Sequence, residues 1–182
     1  MSRSPSPIIR EACLEDASIL CKWWNDPEIM THVGLPNGLE ISVDQVQDLI
    51  LASEEAAPPP PRSKRFMILA ALGREPIGEL NYSNWDPERQ VVSVGIKICK
   101  LSARRKGYGR AALESFLVLL QDVLQVRTVT LEVLARNTPA WNLYERLGFH
   151  RVRRRKGAYM CKATSERLDV FDYHISLDRT IP

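Results

Sequence analysis

At 182 residues and 20.7 kDa the chain has the length of one globular domain, and 45% hydrophobic with 26% charged residues is ordinary for a soluble protein. A formal charge of +3 and a pI near 8.7 permit phosphate-bearing ligands but fall short of the dense basic patches of nucleic-acid binders. Cys13, Cys21, Cys99 and Cys161 form no C-x-x-C pair and the three histidines are scattered, which argues against a metal site; no signal-peptide core or membrane-length apolar run is present. A cytoplasmic chain with reduced thiols is expected. A single domain over 8–178 behind a disordered tail, 1–7, is expected, as a monomer or homodimer.

Residues 8–12 are expected to form a first strand. Asp16 then reads as the N-cap of a helix through Ala17, Leu20, Cys21 and Trp24, which Asn25-Asp26-Pro27-Glu28 stops. A further helix over 43–51 begins at Ser42 or Asp44. Four consecutive prolines, 58–61, force an extended surface loop because they remove four backbone donors. Strands follow at 66–72, 77–82 and 91–99, separated by turns at 73–76 and 84–87, and short turns imply an antiparallel meander. Gly95 inside the third of these suggests a bulge. A helix over 113–124 and a β-branched strand over 126–134 then imply a crossover and a parallel neighbour. Thr138-Pro139 opens the next helix and Gly148 ends it, and strands at 150–162 and 168–177 close a mixed α/β order of about seven strands.

Between strand 91–99 and its helix lies Arg104-Arg105-Lys106-Gly107-Tyr108-Gly109-Arg110-Ala111-Ala112. Two glycines one residue apart let a backbone fold tightly around an anion, with peptide N–H groups and the helix dipole pointing at it. It is not a Walker loop, which needs G-x-x-x-x-G-K-[ST]. Gly107-x-Gly109-x-x-Ala112 does fit a dinucleotide fingerprint with Glu132 at the acidic position. Residues 100–106, however, separate it from its strand, Glu132 lies inside a strand, and too little chain remains for a second half-sheet.

Arg104-x-x-Gly107-x-Gly109 also fits [RQ]-x-x-G-x-[GA]. It is followed by Leu131-Glu132-Val133, Asn137-Thr138-Pro139-Ala140 and Leu143-Tyr144-Glu145-Arg146-Leu147-Gly148-Phe149. Together these resemble the two signatures of the GNAT superfamily of N-acyltransferases, over most of residues 8–177. Trp24-Asn25-Asp26-Pro27-Glu28-Ile29-Met30 resembles the subgroup of ribosomal-protein N-terminal alanine and serine acetyltransferases. The resemblance implies a central, mostly antiparallel sheet of about seven strands flanked by helices. It also implies acetyl-CoA as donor and an amine acceptor, a peptide N-terminus being the first choice. A polyamine, aminoglycoside or amino acid acceptor, or a non-catalytic acyl-CoA-binding module, are the alternatives.

On that resemblance the coenzyme's pyrophosphate sits on the amides of Arg105, Lys106, Gly107, Tyr108, Gly109 and Arg110, beside Arg104. Cations placed at the positive end of a helix dipole are unfavourable unless an anion joins them, which favours a ligand there. The pantetheine arm is expected along the strand edge at Lys97, Ile98 and Cys99, and Asn137 against the coenzyme or an ordered water. Tyr144 matches the tyrosine that protonates the leaving thiolate, and Glu132 or Glu79 the position of a base. Trp24, Asp26 and Glu28 fall where the family builds its acceptor pocket. No cysteine lies in either signature, so direct attack is expected rather than a covalent route through Cys99. The basic run 151–156 lacks interleaved aromatic platforms. It reads as a solvated strand face, or a wall selecting an acidic partner, rather than a nucleic-acid surface.

Overall fold

A computed structural model describes residues 6–54, 60–70 and 74–177. Residues 58 and 59 of the proline run, residues 1–5 of the expected tail, residues 71–72 of the expected strand 66–72, Gly73 of the first turn and residue 178 lie outside these. The chain runs β1 (Ile8–Glu11), α1 (Ala17–Trp24), α2 (Pro27–Met30), α3 (Val43–Glu54), β2 (Lys64–Leu69), β3 (Pro76–Asp86) and β4 (Val91–Ile98). It continues through α4 (Tyr108–Leu124), β5 (Thr128–Leu134), α5 (Thr138–Arg146), β6 (His150–Cys161) and β7 (Glu166–Ser176). The seven strands are ordered β1-β2-β3-β4-β5-β7-β6, and the expected mixed, mostly antiparallel sheet with helices is what forms. The described chain divides into two compact units, one from residues of 1–12, 53–130 and 175–182, the other from 13–52 and 131–174.

The first unit is the meander. β1 through β4 pair antiparallel in sequence order, and β5 joins β4 in parallel after the α4 crossover. α4 buries Leu113, Phe116, Leu117 and Leu120, spaced i, i+3, i+4, i+7, and the Phe116 ring meets Phe66 of β2 edge-on at 5.0 Å. The helix begins five residues earlier than expected, inside the glycine motif, because Gly107 at φ 85° provides a left-handed entry that only glycine adopts without strain. Gly95 makes no bulge: it stays in register with Asn81, whose Oδ1 would lie 2.6 Å from any Cβ there. The register shift falls instead between Ser83 and Asp86, so β3 runs on through the expected second turn. Asp86 Oδ1 then accepts from the N–H groups of Glu88 and Arg89, both at 3.0 Å, and closes the hairpin.

The second unit holds α1 to α3, α5 and the β6–β7 hairpin. Asp16 acts one turn before its expected place. Its Oδ2 accepts from the Cys13 N–H at 2.9 Å, opening a short 3-10 turn, Leu14–Asp16, that leads into α1. Ser42 is the residue that starts α3, in a reciprocal box with Gln45 (3.2 and 2.9 Å). The excursion between α1 and α3 is closed by Asn25, whose amide donates to Ile41 O at 2.7 Å and accepts from Ile41 N–H at 2.9 Å. β6 and β7 pair antiparallel with irregularities after Arg151 and after Arg155. Gly34, at φ 92°, lies under Tyr159 so closely that a Cβ would be 2.4 Å from Cε1.

Candidate active site

In the first unit, β4 and the glycine motif form one continuous stretch. The parallel register with β5 covers Val91 to Ser93 against Thr128 to Thr130 and goes no further among the described residues. Ser93 and Thr130 join their hydroxyls at 2.9 Å at the end of it. Beyond, β4 has β3 as its registered partner. Cys99 N–H donates to Ile77 O at 2.9 Å, so antiparallel alternation turns the peptide groups of Cys99 and Lys97 toward β3 and those of Ile98 and Ile96 outward. Of the expected edge Lys97-Ile98-Cys99, only Ile98 turns its peptide groups away from β3, and Ile96 does the same. The Ile98 carbonyl is itself taken by Arg104 Nε at 2.9 Å, which anchors the turn to the strand.

Arg105 and Gly107 both take left-handed φ, 58° and 85°, and Gly107 caps α4 without any side-chain bond. Tyr108, Gly109 and Arg110 occupy the first helical turn, where N–H groups have no intrahelical acceptor. Arg105 and Lys106 are exposed and make no ion pair among the described residues; Arg110 pairs with Glu114 at 2.9 Å. Free amides, a dipole end and unneutralised cations fit a pyrophosphate.

Glu79, 2% exposed, lies beside the same strand with a cation at each carboxylate oxygen: Arg65 Nη1 at 2.5 Å and Lys97 Nζ at 2.7 Å. Taking a proton there requires giving up an ion pair. Lys97 thus spends its side chain on Glu79. Cys99 is buried, its thiol directed to Lys97 O.

In the second unit Tyr144 is 7% exposed, its ring held between Phe149 (5.9 Å) and Tyr173 (6.2 Å). Its hydroxyl has no hydrogen-bond partner among the described residues, and burial pushes its pKa up to about 12. A phenol in that state keeps its proton at neutral pH and has a donor to offer. Glu132 is 69% exposed, with one oxygen 2.7 Å from Arg155 Nη2. That nitrogen also lies 2.9 Å from Asp172 and is hydrogen-bond aligned with neither; Arg155 Nε makes the true bond, 3.0 Å to Asp172. Asn137 caps α5 with backbone alone, and its Nδ2 donates to His32 O at 3.2 Å. Trp24 is 2% exposed and belongs to the core, while Asp26 is the N-cap of α2, accepting from Glu28 N–H at 2.8 Å. Glu28 is exposed. The arginines of the basic run meet carboxylates, Arg151 that of Glu145 on α5, Arg153 that of Asp172 and Arg154 that of Asp169 on β7.

Over residues 8–150 the chain matches the family described as the acetyltransferase (GNAT) domain. The chain belongs to the GNAT family. It is an acetyl-CoA-dependent N-acetyltransferase, and it is 24% identical over 143 residues to "Uncharacterized N-acetyltransferase p20" of Bacillus licheniformis, covering 79% of this chain and 78% of that one. A shorter stretch, 50 residues at 42% identity, matches an "N-alpha-acetyltransferase" of Sulfurisphaera tokodaii, over 28% and 30% of the two chains. Among solved structures, the spermidine N-acetyltransferase of Vibrio cholerae in complex with CoA and spermine superimposes with a TM-score of 0.82. The identity is 19%, covering 94% of this GNAT chain and 95% of that one, which is a likeness of fold.

One signal escapes a search by motif. Residues 13–54 carry Glu15, Asp16, Asp26, Glu28, Glu40, Asp44, Asp48 and Glu54 against Lys22, that is, eight of the chain's 22 acids and one of its 25 lysines and arginines. Apart from Asp16, which is buried, the described carboxylates here are exposed or half-exposed. A chain with a net +3 therefore has one strongly acidic segment.

Proposed function

We propose that this GNAT enzyme acetylates a small polycationic amine of the polyamine type. The observation that carries this is the acidic segment 13–54, in a chain otherwise well supplied with cations. A flexible polyamine carries several positive charges and is attracted by a field of exposed carboxylates, even where no single pair is strong. The full-length likeness to a spermidine N-acetyltransferase fold supports the same acceptor. A peptide N-terminal amine, the first choice from sequence, is the second reading; the 50-residue match to an N-alpha-acetyltransferase favours it.

In the proposed reaction the neutral amine attacks the thioester carbonyl carbon, the C–S bond breaks, and Tyr144 gives its proton to the departing thiolate. The amine's own proton leaves to water or to Glu132. Glu132 is the better of the two glutamates, because it meets one cation and is mostly in solvent, whereas Glu79 meets two and is buried. Arg105, Lys106 and the amides of Tyr108 to Arg110 hold the pyrophosphate.

The test is free-thiol release from acetyl-CoA over a panel containing spermidine, spermine, an aminoglycoside and peptides with free N-termini. Spermidine or spermine should exceed the peptides in kcat/KM by about tenfold or more, with an acceptor KM that rises with salt as screening weakens the acidic field. Faster turnover of a peptide would replace the polyamine with the N-terminal reading. Coenzyme binding without turnover of any amine would leave an acyl-CoA-binding module.

A further inference from the structure

α5 has nine residues, and two neighbours on it, Tyr144 and Glu145, are held by the same β7 residue. The Tyr173 ring packs 6.2 Å from the Tyr144 ring. The Tyr173 hydroxyl donates to Glu145 Oε1 at 2.8 Å and accepts from Arg151 Nε at 3.0 Å. Arg151 Nη2 closes the triangle by donating to the same Glu145 oxygen at 2.7 Å. Arg151 is in turn caged, its guanidinium carbon 4.1 Å from the Phe171 ring centre, 5.5 Å from Trp141 and 5.6 Å from Tyr173. Tyr173 is 1% exposed and sits directly across from Arg151 in the β6–β7 register.

Successive residues point about 100° apart around a helix, so one contact leaves a short helix free to roll whereas two contacts at adjacent positions fix its rotation. Tyr144 and, one turn before it, Trp141 meet β7 through ring contacts, Trp141 6.4 Å from Phe171, and ring contacts tolerate a small roll. Glu145, tied by two directional hydrogen bonds to the buried Tyr173 and to the ring-flanked Arg151, removes that freedom. Hydrogen bonds first from Tyr173 and then from Arg151 hold the Glu145 carboxyl below its ordinary pKa, so the tether is ionised at neutral pH.

We propose that Tyr173, with Glu145 and Arg151, is a positioning residue that sets the rotation of α5 and thereby aims the unpartnered Tyr144 hydroxyl at the leaving group. This rests on the reading of Tyr144 as the proton donor. Its signature is a loss in the chemical step, not in binding.

The test is a double-mutant cycle of Tyr144→Phe and Tyr173→Phe, with kcat and both KM values measured on the best amine of the panel. Tyr173→Phe should lower kcat about tenfold, as expected for a displaced reacting group, and leave the acetyl-CoA KM within about twofold. In the Tyr144→Phe background it should add nothing, since two residues acting as a unit are not additive. Multiplying effects, or a Tyr173→Phe enzyme as fast as the original, would overturn the positioning role. A Tyr144→Phe enzyme with full turnover would instead remove the proton-donor reading. Arg151→Lys, which keeps the charge but loses the fork, gives the same cycle on a half-exposed side chain and serves if Tyr173→Phe does not fold.

Discussion

Arg105 and Lys106, on the turn before α4, make no ion pair among the described residues, while Arg151, Arg153, Arg154 and Arg155 on β6 each meet a carboxylate of β5, β7 or α5. In sequence the two runs look alike, both short and both rich in arginine. One difference separates them, which is whether the fold supplies the counter-charge. On β6 it does, and the cations bind strands and helix together. Before α4 it does not, and the cations sit at a helix's positive end with free amides beside them, an arrangement that an anion completes.

The largest expected effect comes from removing the cations that lack an ion-pair partner among the described residues. Arg105→Ala with Lys106→Ala should raise the acetyl-CoA KM by about 10- to 100-fold, two charge-assisted contacts being worth roughly 1.5–3 kcal/mol apiece before solvent screening. The thermal midpoint should stay within about 2 °C, because neither side chain supports the fold. A fall in the midpoint with an unchanged KM would place these residues with the β6 set and break the contrast.

The converse change is Asp172→Asn. Asp172 is 16% exposed and receives both Arg153 (2.6 Å) and Arg155 (2.9 Å), so its loss strands Arg153 and leaves Arg155 with Glu132 alone. Both arginines are partly solvated, which reduces the cost from that of a buried pair to about 1–2 kcal/mol. Urea unfolding should show it as a lower midpoint with an unchanged slope. The acetyl-CoA KM should not move. A KM change as large as that of the loop variant would mean that the ladder, too, reads the coenzyme.

How far such differences are legible in sequence depends on the range over which they are decided. The glycine loop and α5 are local: Gly107 and Gly148 take left-handed φ, 85° and 88°, where a helix must start or stop, and short motifs capture that. The partners of Arg153 and Arg154 are not local. They depend on a hairpin register with two irregularities, so alternation alone misassigns which acid faces which arginine. Asn137 is a harder case, since its amide donates to His32 O across 105 positions and nothing near it in sequence reveals that. Gly95 misled for a related reason, because the cause of its missing side chain is Asn81 on the adjacent strand rather than a kink in its own. The acidic segment 13–54 was visible in composition throughout, but it has no motif, and only its dispersal over several helices and turns makes it a field.

Acid sharpens the same comparison on the smallest scale. Burial pushes the Asp172 carboxyl up, but the hydrogen bonds from Arg153 and Arg155 together outweigh it and hold the pKa below its ordinary value. Asp169 is held low by the Gly157 N–H first and by Arg154 second. A carboxylate whose folded pKa is depressed contributes stability in full above its unfolded value, about 3.9, and loses it as pH falls through the folded value. Thermal midpoints of the unmodified chain and of Asp172→Asn should therefore differ at pH 7 and draw together below about pH 4, as the original aspartate takes up the proton that the amide imitates. The Arg105→Ala, Lys106→Ala variant should track the unmodified chain across the same range, since it removes cations that no carboxylate among the described residues holds. Parallel curves for Asp172→Asn down to pH 2.5 would mean that its cost is one of packing, and that the β6 arginines are not held by charge.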